Sequence, residues 1–132
     1  MVCVGNPTAA SAGLQTLLKG GNAIDAAITV ATCQPVVEPT GNGLGSDCFA
    51  LIWYKASCMA LTAAGRLRWL LLSQLEGRGF DKIPPMVLSR LTFRVSVGAW
   101  MEIHKKFGKL LSKLLWNPPS TMRKTAILFL RI

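Results

Sequence analysis

Cys3, Cys33, Cys48, Cys58 and His104 carry the donor atoms best suited to a structural zinc ion, provided their spacing brings them together in pairs. No CxxC pair occurs, and His104 has no cysteine or second histidine within a helical turn, so no metal site is expected. The thiols are read as small buried side chains in a reducing compartment. Glu38, Asp47 and Glu102 supply carboxylates, but nothing pairs them for proton transfer, and they read as loop, helix or surface charges. The glycine-rich string GNGLGSD, Gly41 to Asp47, could cradle a phosphate if a strand preceded it and a helix followed. It leads into an apolar strand instead, so turn chemistry is expected and no nucleotide cofactor. Lys105, Lys106, Lys109 and Lys113 fall on one late helix and its exit with no aromatic platform among them, the pattern of a solvated face.

These residues must be positioned by a small number of elements. Pro7 to Lys19 reads as a helix, with Pro7 in its first turn, a broad apolar face of Ala9, Ala10, Ala12, Gly13, Leu14, Leu17 and Leu18, and Gly20-Gly21 as its stop. A second helix follows, capped by Asn22, with Asp25 in its first turn at the positive dipole end and small residues from Ala23 to Ala31. It is expected to end at Pro35. Cys48 to Tyr54 is a short apolar strand, and Met59 to Leu61 can pair with it across a turn at Lys55 to Ser57. Arg66 to Arg78 reads as helical, GFDKIPP as a turn, Val87 to Val97 as a β-branched strand, and Val97 to Phe107 as a helix stopped by Gly108. The class is α+β.

The chain has 132 residues, 15 Lys+Arg against 6 Asp+Glu, and 51% hydrophobic residues. That is room for one modest domain. A mean hydropathy of +0.39 argues against extended disorder despite a net charge of +9. No apolar run approaches the roughly 18 residues of a membrane span, because Lys55, Arg66, Arg68 and Glu76 interrupt the middle and Thr125 to Leu130 is short. The opening MVCVGNPTAAS has neither the charged start nor the continuous apolar core of a signal peptide, and it assigns no compartment.

From Asn6 to Tyr54 the chain reads NPTAASAGLQTLLKGGNAIDAAITVATCQPVVEPTGNGLGSDCFALIWY. This resembles the start of the large subunit of gamma-glutamyltransferases: a helix opened by Pro, GGNAIDAA, VVEP, and a glycine-rich segment leading into FAL and a strand. GGNAIDAA and VVEP are specific in combination, although each is weak alone. Leu61 to Arg66, LTAAGR, resembles the family's NASGRAP stretch, with Thr62 where Asn often stands. QLEGRGFDKIPP and GAWMEIHKKFGKLLSKLL, Gly98 to Leu115, are similar to later family segments.

Three stretches depart from that pattern: LRWLLL after Arg66, MVLSRLTFRVS after Pro85, and WNPPSTMRKTAILFLRI after Leu115. Read one base out of register, the last permits EPAIHYAENGYPVSEN, which resembles the expected family segment. The single codon of Trp116 followed by any Asn codon forces the Glu, and the final base of Met122 before a CG-type Arg codon forces the Ala. The same shift after Arg66 yields an Ala-Pro start, and after Pro85 it permits a Tyr-Gly start. The expectation is therefore a family sequence broken by single-base frame errors, with residues 1–115 as the large-subunit fragment and 116–132 as an aberrant tail. Arg68, Arg90, Arg94, Arg123, Lys124 and Arg131 lie in the suspect stretches, which removes much of the basic excess from any argument for a phosphate-binding field.

The resemblance implies part of an N-terminal-nucleophile (Ntn) hydrolase αββα sandwich, in which a Thr freed by self-cleavage attacks the γ-amide carbon of glutathione or a related γ-glutamyl compound. A Thr hydroxyl is a weak nucleophile and borrows its own α-amine as base. No threonine of this chain matches the nucleophile motif, so no catalytic residue is assigned and the chain is expected to be inactive alone. Arg66 matches the residue that holds the substrate α-carboxylate, a task suited to the guanidinium fork. The implied partners are the rest of the large subunit and the small subunit, which would cover sheet faces left apolar here. The alternative is a small basic protein that binds nucleic acid or a membrane surface through the late lysines and the terminal apolar run.

Overall fold

The computed structural model describes residues 1–64, 77 and 95–122. The expected helix at Arg66 to Arg78, the GFDKIPP turn and most of the strand expected at Val87 to Val97 fall outside the described residues, as does Arg66. The chain divides into two compact units, Met1–Gly43 with Trp100–Ile132, and Leu44–Ala99.

In the first unit, α1 spans Pro7–Leu18 and α2 spans Ala23–Val37. Asn6 caps α1 by accepting from the Thr8 and Ala9 amides, while Pro7 occupies a position whose missing N–H costs nothing. The two helices pack through Ala9, Ala12, Gly13 and Thr16 of α1 and Ala26, Thr29, Val30 and Cys33 of α2. Two of the leucines expected on that face point elsewhere, Leu14 at 51% and Leu18 at 78% exposed, while Leu17 is half-buried. Small side chains win the contact because they let the backbones approach. A Cβ on Gly13 would lie 2.6 Å from Val30 Cγ2.

Three buried hydroxyls lie on these helices, and one pair of them, Thr16 with Thr29, bridges the interface. Thr16 Oγ1 lies 3.0 Å from both the Ala12 carbonyl and Thr29 Oγ1, and Thr29 Oγ1 lies 2.9 Å from the Asp25 carbonyl. Two protons serve these three oxygen pairs. Thr32 Oγ1 reaches the Thr29 carbonyl at 2.9 Å and the Leu115 carbonyl at 3.2 Å, tying α2 to a distant segment. Each of these three buried hydroxyls thus has a partner, as burial requires.

The helix α2 does not stop at Pro35. It runs on to Val37, and the Glu38 amide donates to the Gln34 carbonyl at 2.8 Å. A proline within the last turn removes one helical hydrogen bond and leaves few residues beyond it to disturb, so the expected break does not occur.

The second unit contains an antiparallel hairpin of β1, Cys48–Tyr54, and β2, Ser57–Ala63. Lys55 and Ala56 form the turn at φ +49° and +59°, left-handed values that neither residue favours and that a two-residue hairpin loop demands. Opposed pairs Cys48↔Ala63, Ala50↔Leu61 and Ile52↔Met59 make the half-buried face. The opposite face carries Phe49, Leu51 and Trp53, which are 71%, 79% and 73% exposed. An apolar outer face on a two-stranded sheet is the reverse of the usual alternation, and such a hairpin is marginal without further cover.

The helix α3 spans Val95–Phe107, beginning two residues before the expected start and absorbing Val95, Ser96 and Val97 from the strand predicted there. Ser96, Ala99, Trp100 and Ile103 are buried at helical spacing, and that periodic stripe outweighs the weak β preference of two valines. Within the second unit, Ser96 Oγ donates to the Leu44 carbonyl at 2.7 Å. In the first unit, α4 spans Ser112–Leu115 and a further helical stretch covers 117–122. Leu115 is 1% exposed, the Trp116 ring lies 6.2 Å from that of Trp100, and Met122 packs against the Ala9, Ala12 and Cys33 cluster.

Candidate functional site

The densest polar constellation among the described residues is built around Asp25, which is completely buried. Asn22 and Asp25 form a reciprocal capping box: the Asp25 amide donates to Asn22 Oδ1 at 2.9 Å, and the Asn22 amide donates to Asp25 Oδ2 at 3.0 Å. The same carboxylate reaches across the chain. The Lys109 amide donates to Oδ1 at 3.1 Å and Oδ2 at 3.2 Å, and the Leu110 amide donates to Oδ2 at 3.1 Å. Asn22 Nδ2 donates to the Phe107 carbonyl at 2.6 Å.

His104 completes the cluster. Its Nε2 lies 2.8 Å from the Leu110 carbonyl and 3.7 Å from Asp25 Oδ1. A carbonyl only accepts, so Nε2 carries the proton. The helix α3 therefore ends on a turn whose free amides are gathered by a buried anion from α2, while its carbonyls are met by Asn22 and His104. With Nε2 protonated, Nδ1 is the basic nitrogen of the His104 ring, while both oxygens of the Asp25 carboxylate are committed to amides. The cluster's task is to hold the turn at 108–110 against the start of α2.

The thiols divide differently from expectation. Cys33 is buried, Cys48 is half-buried, and Cys3 and Cys58 are exposed. Burial pushes the Cys33 thiol from 9.0 up to about 11. At pH 8 this leaves Cys33 about a hundredfold less thiolate than an ordinary cysteine, so alkylation should mark Cys3 and Cys58 quickly and Cys33 only on unfolding. Peptide mapping after brief treatment checks this. Because the raised value favours the neutral thiol in the fold, the associated stability is present below pH 9 and is lost as pH rises through about 11.

Glu38 and Glu102 are exposed, Asp47 is exposed at the foot of β1, and Lys105, Lys106, Lys109 and Lys113 are exposed. No group of three metal-ligating side chains occurs among the described residues, and none of their helices is long and apolar enough to cross a membrane. Sequence reasoning placed Asp25 in a first turn but missed its second role. The available signal was Gly108, a helix stop whose following amides need acceptors, but nothing local says that the acceptor lies some 84 positions earlier.

Residues 9–122 match the sequence pattern of the gamma-glutamyltranspeptidase family. The chain is 33% identical over 105 residues to the glutathione hydrolase-like YwrD proenzyme of Bacillus subtilis (strain 168), covering 77% of this chain and 20% of that protein. It is 40% identical over 53 residues to the glutathione hydrolase proenzyme of the same organism, covering 40% of this chain and 9% of that one. Among solved structures, the cephalosporin acylase of Bacillus halodurans superposes with a TM-score of 0.81 at 41% identity, over 86% of this chain and 22% of that one. The Helicobacter pylori gamma-glutamyltranspeptidase shares the fold at a TM-score of 0.76 and 24% identity, over 90% of this chain and 36% of that one. The chain thus spans about a fifth of the length of the first of these curated relatives. With GGNAIDAA building the capping box of α2 and the family pattern running from Ala9 to Met122, the chain belongs to the gamma-glutamyltranspeptidase family and carries an α+β part of its Ntn-hydrolase fold.

Proposed function

We propose that this chain serves as the front part of the large subunit of a γ-glutamyl transferase or hydrolase, contributing substrate positioning and no nucleophile. One observation carries this reading: most of the chain aligns with only about a fifth of a relative described as a glutathione hydrolase-like proenzyme. The attacking Thr, with its α-amine as base, is then supplied by the portion of the relatives that this chain does not span. The exposed apolar face of Phe49, Leu51 and Trp53 is the surface that this portion would cover.

Within that assembly Arg66 is the residue assigned to the substrate α-carboxylate. A guanidinium fork makes two parallel charge-assisted hydrogen bonds to a carboxylate, which a lysine cannot reproduce. Their loss is worth about 3 kcal/mol, so Arg66→Ala should raise KM on the order of a hundredfold with a smaller change in kcat, and Arg66→Lys should recover only part of the loss.

The test expresses the chain alone and together with the portion of a relative that follows the aligned region, and follows hydrolysis of a γ-glutamyl anilide. Turnover is expected only in the combined preparation, and there it should show the Arg66 dependence. Turnover by the chain alone would overturn the division of labour, and an unchanged KM in Arg66→Ala would remove the carboxylate clamp. The frame-error reading of the three divergent stretches is decided separately by resequencing the gene.

A further inference from the structure

The glycine-rich loop, which the proposed function leaves without a task, holds a reactive pair. We propose that Asn42-Gly43 is a self-modification site, converting through a cyclic imide to aspartyl and isoaspartyl forms and thereby untying the loop from the C-terminal end of α2.

The chain contains four asparagines, and three are protected by their surroundings. Asn6 precedes Pro7 and Asn117 precedes Pro118, and a proline nitrogen has no proton to lose on attacking the side-chain amide. Asn22 precedes Ala23 and is held at both ends of its amide, by the Asp25 N–H on Oδ1 and the Phe107 carbonyl on Nδ2. Asn42 alone precedes a glycine. No heavy atom lies within 4 Å of where a Cβ would stand on Gly41 or Gly43, so no side chain packs over either glycine. Asn42 is tethered through Nδ2, which donates to the Glu38 carbonyl at 3.1 Å in an exposed setting.

The chemistry balances without an added reagent other than water. The Gly43 nitrogen attacks Asn42 Cγ, the Cγ–Nδ2 bond breaks, and the amide proton leaves with ammonia, closing a five-membered imide. Water then adds at either carbonyl. Opening one side gives aspartate, and opening the other gives isoaspartate, with an extra methylene in the backbone. Either product loses the side-chain N–H donor, and in the aspartyl form a carboxylate stands in its place facing the Glu38 carbonyl. Glu38 is the C-cap of α2, where the helix dipole is negative, so the new charge is repelled and the tether is lost. This inference is independent of the proposed enzymatic role.

The test incubates the purified full chain at pH 8 and 37 °C, then maps peptides by mass and by isoaspartyl-specific methylation. The mass gain of an amide-to-acid exchange is expected at Asn42, with Asn6, Asn22 and Asn117 unchanged. Gly43→Ala should slow the conversion about tenfold by crowding the attack, and Asn42→Gln, one methylene too long for the five-membered ring, should abolish it. In Asn42→Asp, amide exchange over 38–43 should quicken while α1 keeps its protection. Conversion at Asn22 as fast as at Asn42, or an undiminished rate in Gly43→Ala, would overturn the assignment. Unchanged exchange over 38–43 in Asn42→Asp would overturn the untying.

Discussion

Asp25→Ala should destabilise the first unit by about 4 kcal/mol, because the part-buried amides of Asn22, Lys109 and Leu110 lose a charged acceptor that is itself completely buried. Each stranded buried donor costs about 1–3 kcal/mol, and water entering the vacated space recovers part of that. Against a total stability of about 5–15 kcal/mol for a folded domain, the loss is a large fraction. Asp25→Asn should cost about half as much, since one oxygen remains to accept while the new NH2 confronts an amide donor. Urea unfolding followed through the Trp100 and Trp116 pair measures both variants, and hydrogen exchange at Lys109 and Leu110 localises the effect. A change below about half a kcal/mol in Asp25→Ala, the scatter of ordinary surface substitutions, would show that the carboxylate does not organise the turn.

Gly108→Ala should be the next most damaging change, at about 2–3 kcal/mol. The Gly108 amide donates to the His104 carbonyl at 2.7 Å, which pins the backbone there. A Cβ on Gly108 would press on the His104 ring at Cδ2 and lie 2.6 Å from both its Nε2 and its carbonyl oxygen. The carbonyl cannot retreat without breaking the amide bond, so the ring must swing away and surrender its 2.8 Å bond to the Leu110 carbonyl. The same unfolding measurement, with the His104 ring proton signals as a local reporter, tests this. If His104→Ala restores most of the stability lost in Gly108→Ala, the clash is with the ring; if it restores none, the backbone contact dominates.

Much of the local architecture was legible in the residues. Asn6-Pro7, Gly20-Gly21 and Asn22 with Asp25 mark the ends of α1 and the start of α2 because capping is a matter of a few neighbouring groups. The apolar strand at Cys48–Tyr54 and its partner followed from short-range pattern as well, although the partner runs over Ser57–Ala63 and not just Met59 to Leu61. Ala9, Ala12 and Gly13 of the expected α1 face do turn inward, but the exposure of Leu14 and Leu18 and the burial of Thr16 did not follow, since close approach favoured small side chains over hydrophobicity. Nor did the start of α3, where a buried stripe overrode β-branched preference.

The amino-acid order alone determined the family, through the joint occurrence of GGNAIDAA and VVEP, together with the helix caps and the Asn42-Gly43 pair, whose reactivity depends on adjacent atoms. Only the tertiary structure decided that Asp25 serves the turn at 108–110, that Thr32 meets the Leu115 carbonyl, and that Cys33 is buried while Cys3 and Cys58 are not. Caps and turns are satisfied by groups a few residues away, so they are written in local order. A buried carboxylate finds its donors wherever packing delivers them, and here packing delivers them from the far side of the chain.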